Sequence, residues 1–108
     1  MSHTFKRSLI KININAATLS SGGFAIFEGL QPIYLGFTPY GVRERLYAHF
    51  QGNGNAKVAA AVKTGRPLEF FVVETLSARQ AKSELKQCMS PADFNKLKLE
   101  TDPTDRLS

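Results

Sequence analysis

The segment Pro67-Leu-Glu-Phe-Phe-Val-Val73 constrains the chain most. Two aromatic residues followed by two β-branched ones favour a pleated, extended backbone over a helix. The run predicts a strand at the centre of a sheet, and nearby segments supply its partners. Phe24-Ala-Ile-Phe27 and Ile33-Tyr-Leu35 are short apolar runs joined by Glu28-Gly29-Leu30-Gln31-Pro32. They predict an antiparallel hairpin. Near the start, Ile10, Ile12 and Ile14 alternate with Lys11 and Asn13. That two-residue period predicts a further strand with its isoleucines on one face. It would be an added edge strand or a dimer contact, since exposed edges invite pairing. Asn15 to Gly23 is small and polar and predicts a loop.

The remaining segments carry helix signals. Thr38-Pro39 predicts an N-cap and first turn, followed by a buried stripe of Val42, Leu46 and Phe50 at four-residue spacing. Gln51 to Asn55 ends that helix. Asn55 caps the next one, Ala56 to Thr64, with Gly65 as its stop. Ser77 and Gln80 form a capping box before a helix with Ala78, Ala81 and Leu85 on its inner face. Ser90-Pro91 opens a short last helix through about Leu99. Residues 1–21 are expected to be an N-terminal strand and loop extension, 22–99 the main domain, and 100–108 an acidic C-terminal tail. The expected fold class is α/β: a small antiparallel or mixed sheet flanked by helices.

At 108 residues, with 43% hydrophobic residues and eight Phe, the chain can bury one real core. No apolar run approaches the ~20 residues that span a bilayer, so no membrane association is expected. Met1 to Lys11 has charges but no long apolar run and no small-residue cleavage pattern, so no signal peptide is expected, and the single Cys88 cannot make an internal disulfide. A reducing cytoplasm is the simplest compartment. One Cys with His3 and His49 cannot close a four-ligand zinc cage. The net charge is +5, unevenly spread. Up to Leu99 there are 13 Lys and Arg against 6 Asp and Glu, whereas Glu100 to Ser108 holds three acids and one Arg. The basic part would attract polyanions by releasing condensed counterions. Arg43, Lys57, Lys63 and Arg66 are the expected nucleic-acid-binding cations.

Gly22-Gly-Phe-Ala-Ile-Phe27 precedes Tyr34-Leu-Gly36 across the hairpin turn, and the next helix carries Arg45-Leu-Tyr-Ala-His-Phe50. A strand and a capped helix with Glu84 follow. This order resembles the GIY-YIG nuclease family over roughly Gly22 to Gln87. The resemblance implies a metal-dependent endonuclease that hydrolyses phosphodiester bonds in DNA, with RNA as an alternative substrate. It assigns catalytic roles to Tyr34, Arg45, His49 and Glu84. Glu84 would hold Mg²⁺ or another divalent cation. Arg45 would stabilise charge on the phosphate, and the Tyr34 hydroxyl would hydrogen-bond or move a proton. His49, one helical turn from Arg45, can face the same site.

The chain departs from the family at two positions. Phe24 stands where the first motif has Tyr, and a shift of register would put Ala25 there; neither carries a hydroxyl. Phe37 replaces the Lys that commonly follows the second motif. Either His49 or Tyr47 replaces the missing base, or activity is reduced, or the domain binds without cutting. Each residue also has a structural reading: Arg43, Glu44 and Arg45 as a solvated helix face, His49 as a packed ring, Glu84 as a surface charge. A protein-interaction module is the third functional reading. No separate recognition module is visible, so sequence specificity would be low or come from a homodimer or another partner.

Overall fold

The computed structural model describes residues 6–101. The elements run β1 (Arg7–Ser8), α1 (Lys11–Asn15), β2 (Gly22–Glu28), β3 (Gln31–Thr38) and α2 (Val42–Phe50). They continue with α3 (Ala56–Lys63), β4 (Glu69–Glu74), α4 (Ala78–Cys88), α5 (Pro91–Asn95) and β5 (Leu99–Thr101). One sheet contains all five strands in the order β1-β4-β2-β3-β5. Neighbours are antiparallel except β3 and β5, which run parallel. The fold is therefore α/β, with a mixed sheet flanked by helices, as the residue patterns predict.

The hairpin forms, with strands longer than predicted. Only Gly29 and Leu30 lie between β2 and β3. Pro32 sits inside β3, opposite Phe27, and the register shifts between Ile26 and Phe27. A proline cannot donate to the ladder, so an irregularity beside it is the expected accommodation.

Both faces of the sheet are covered, which is why Phe70 to Val73 is apolar without a break. Successive strand residues point to opposite faces. Phe24, Ile26, Tyr34 and Phe70 pack with Ile14, Val42, Leu46, Val58 and Ala61 from α1, α2 and α3. Ala25, Phe27, Leu35, Phe71 and Val73 pack with Leu85 of α4 and Phe94 of α5. The sheet thus separates two cores, and whatever α2 carries lies across it from whatever α4 carries.

Four expectations need correction. The strand predicted over Ile10 to Ile14 is the helix α1: Ile14 is fully buried while Ile12 is 72% exposed. The physical reason lies in β1. It pairs with β4 as Arg7 to Phe70 and Ser8 to Glu69, and the Leu9 N–H donates to the Leu68 carbonyl. Past Leu9 the chain turns: the Ser8 carbonyl accepts from the Ile10 N–H and from Asn13 Nδ2, and the Ile10 carbonyl accepts from the Ile14 N–H, which closes the first turn of α1. The helix predicted from Thr38-Pro39 starts only at Val42, because Thr38 is still in β3. On α4, Ala81 and Leu85 are buried as predicted, but Ala78 is exposed. The last helix ends at Asn95, and Glu100 and Thr101 of the predicted tail belong to β5. The rest of that tail, 102–108, lies outside the described residues, as do residues 1–5 of the predicted extension.

Candidate functional site

The placement of Arg45 follows from how α2 is tied at its start. Gly41 caps α2 without a side-chain bond. The loop between α1 and β2 does the work instead. Val42 N–H donates to the Ser20 carbonyl and Arg43 N–H to the Thr18 carbonyl, at 3.1 Å each. The Arg43 guanidinium donates twice to the Ala17 carbonyl, from Nε at 3.1 Å and Nη2 at 2.9 Å. With Val42 and Leu46 buried against the sheet, this fixes the rotation of α2. Arg45 is left half-buried at the side of the buried stripe.

There Arg45 and Tyr34 line one cleft of about 260 Å³. Asn53, Gly54 and Asn55, between α2 and α3, form part of its wall, as do Glu100 and Thr101 of β5. Asn55 also caps α3, accepting from the N–H groups of Lys57 and Val58. The start of α3 therefore opens beside the cleft. Helix N-termini carry partial positive charge.

His49 lies behind Tyr34 and does not line the cleft. Its ring is 1% exposed, 4.7 Å from the Tyr34 ring and 5.6 Å from Phe24, centroid to centroid. Tyr34 is itself only 5% exposed and sits 5.9 Å from Phe24. Two glycines make this aromatic cluster sterically feasible. A Cβ at Gly36 would fall 2.7 Å from the Tyr34 ring and 2.9 Å from Phe24. A Cβ at Gly54 would fall 2.2 Å from His49 Nδ1. The Gly of Tyr34-Leu35-Gly36 thus serves a packing need in this chain, and so does Gly54.

Of the four residues assigned to one site, the structure gathers Tyr34, Arg45 and His49. Glu84 is not brought to them. It is half-buried on α4, whose Ala81 and Leu85 pack on the other face of the sheet. Among the described residues, no three His, Cys, Asp or Glu side chains come close enough to hold a metal ion. Tyr47, the alternative base, faces α1, where its hydroxyl donates to Asn15 Oδ1. Arg43 anchors a loop. Arg66 pairs with Glu28 at 3.1 Å, and its Nε donates to Thr64 Oγ1. Lys57 is exposed on the first turn of α3, whereas exposed Lys63 ends that helix.

Sequence reasoning did not place Asn53, Asn55, Glu100 or Thr101 at the site. Gly52-Asn-Gly-Asn55 reads as a connecting loop, and Asn55 as a cap only. The signal was Gly54, a small residue in a loop that closes on an aromatic ring. Nothing local marks Glu100, whose position depends on β5 pairing with β3. Among the described residues, no helix is long and apolar enough to cross a membrane. Comparison with protein-family models, with curated proteins and with solved structures gave no match.

Proposed function

We propose that this chain binds nucleic acid, taking a backbone phosphate into the cleft beside Arg45, as a GIY-YIG-like domain that grips without metal-centred cutting. One observation carries the reading: the Arg45 guanidinium and the Asn55-capped start of α3 open on the same cleft. A guanidinium matches phosphate geometry with two parallel N–H donors. A helix N-terminus adds favourable potential for an anion. Exposed Lys57 lies two residues after Asn55 on α3, and the overall charge of +5 favours a polyanion. DNA is the first ligand to test and RNA the second, since phosphate contacts do not distinguish sequence.

A second reading is the metal-dependent endonuclease itself, and the convergence of Tyr34, Arg45 and His49 favours it. Against it stand Phe24, which has no hydroxyl, and Glu84, which lies on the far face of the sheet from Arg45. The ligand set does not fit a divalent ion shared between Glu84 and a phosphate on Arg45, so no step is routed through one.

One experiment separates the readings: nicking of supercoiled plasmid and cleavage of labelled single strands, with Mg²⁺ or Mn²⁺ against chelator. Binding is measured in parallel, and Arg45→Ala and Glu84→Ala accompany the unmodified chain. Salt-sensitive binding that weakens in Arg45→Ala, with no cutting, is the expected result. Metal-dependent cutting abolished by both substitutions would establish the endonuclease instead. Absence of binding at physiological salt would sink both and leave a protein-interaction surface.

A further inference from the structure

We propose that β5 acts as a strap across this cleft, with the Glu100 carboxylate competing internally for the position a phosphate would take. The inference rests on reading the cleft as a phosphate site. Among the described residues β5 has three residues and joins the sheet at the β3 edge, pairing Leu99 with Leu35, Glu100 with Gly36 and Thr101 with Phe37. Strand alternation puts Glu100 on the Tyr34 face and Leu99 on the opposite one. Leu99 is half-buried there, against the core that holds Leu35, Leu85 and Phe94. Glu100 and Thr101 consequently line the cleft that contains Arg45.

A carboxylate presents oxygens to a guanidinium much as a phosphate does. Glu100 therefore lowers the affinity of the cleft for an outside anion while β5 is seated. The seating is light. Among the described residues, three residues of ladder and half-buried Leu99, with half-buried Leu97 just before it, hold the strand, and elements with few buried contacts open locally at low free-energy cost. The charge distribution runs the same way. Basic residues dominate up to Leu99, and Glu100 begins the stretch in which acids outnumber them.

The test measures anisotropy of a labelled single-stranded oligonucleotide at low salt with the full chain, Glu100→Gln, Glu74→Gln and Leu99→Ser. Arg45→Ala is made in both the unmodified and the Glu100→Gln backgrounds. Glu100→Gln should tighten binding about threefold to fivefold, the scale of one exposed charge interaction. Glu74→Gln removes the same charge away from the cleft and should change affinity much less. Leu99→Ser keeps Glu100 but loosens β5, and should also tighten binding while still melting cooperatively. Binding that appears only in Glu100→Gln would support the strap as well. Equal effects of Glu100→Gln and Glu74→Gln, or weaker binding in Glu100→Gln, would overturn it while leaving the phosphate site standing. No binding by any form, or binding indifferent to Arg45→Ala in both backgrounds, would overturn the phosphate site and the strap together.

Discussion

Gly54 and His49 illustrate how one residue can be demanded by another. The glycine lies so close to the imidazole that an added methyl would have to occupy the ring's own space. His49 cannot easily retreat, because Phe24 and Tyr34 pack against it and its ring is buried. Gly54→Ala should therefore cost about 1–3 kcal/mol, the usual scale of overpacking a tight interior. Thermal unfolding measures this directly, and an unchanged midpoint would mean that the cluster can shift. Arg43 and Arg45 make the complementary point. Both lie on α2 and look alike in sequence, yet Arg43 satisfies the Ala17 carbonyl and Arg45 lines the cleft. Arg43→Ala should lower stability by about 1 kcal/mol, given two charged hydrogen bonds on a half-buried group. Urea titration would report it. Arg45→Ala should act mainly on ligand binding. The local sequence does not separate the two arginines. The loop that fixes the rotation of α2 is distant in the chain.

At the scale of elements, local signals succeeded wherever the capping chemistry was local. Asn55 and Ser77 cap α3 and α4 through their side chains, as their sequences predict. Gln80 does reach back across the start of α4, but it accepts from the Leu76 N–H. The failures came where a distant segment intervened. Thr38 has the composition of a helix cap, but pairing with Gly22 holds it in β3. The isoleucine alternation has the period of a strand, but the ladder with β4 ends past Leu9, and the Ser8 and Ile10 carbonyls hold the following residues in a helical turn. Two substitutions distinguish the helix from the strand. Ile14→Ala should cost about 2–5 kcal/mol, as for other buried large-to-small changes. Ile12→Ser should stay within about 0.5 kcal/mol, as surface changes do. In a strand with Ile10, Ile12 and Ile14 on one buried face, both substitutions would be costly. Comparable losses in denaturant unfolding would contradict α1.

The sheet sets the functional geometry of the whole molecule by dividing the helices between two cores. Glu84 and Arg45 belong to helices on opposite faces, so their order along the chain did not translate into one site. The electrostatic reading has a quantitative consequence. If Arg45 contacts one phosphate, Arg45→Ala should reduce the slope of log K against log salt by about 1. Glu84→Ala should leave that slope unchanged. Affinity titrations across several salt concentrations decide this, and an identical slope for all three proteins would remove Arg45 from the interface.

Short-range physics determined much of this chain by itself. Periodicity, turn residues and side-chain caps specify the hairpin, the Phe-Phe-Val-Val strand, and the helices capped by Asn55 and Ser77, because each depends on neighbours a few residues away. The α/β class follows from that list. What the tertiary structure decided depends on contacts between distant segments. The pairing of β1 with β4 ends past Leu9, and bonds back to the Ser8 and Ile10 carbonyls turn the next residues into α1. The β3 edge recruits Leu99 to Thr101 as a parallel strand and so brings Glu100 into the cleft. The two faces of the sheet join Tyr34, Arg45 and His49 and leave Glu84 apart. Side-chain period and capping act along the chain, whereas strand pairing and face assignment act across it, and only the folded sheet settles the second kind.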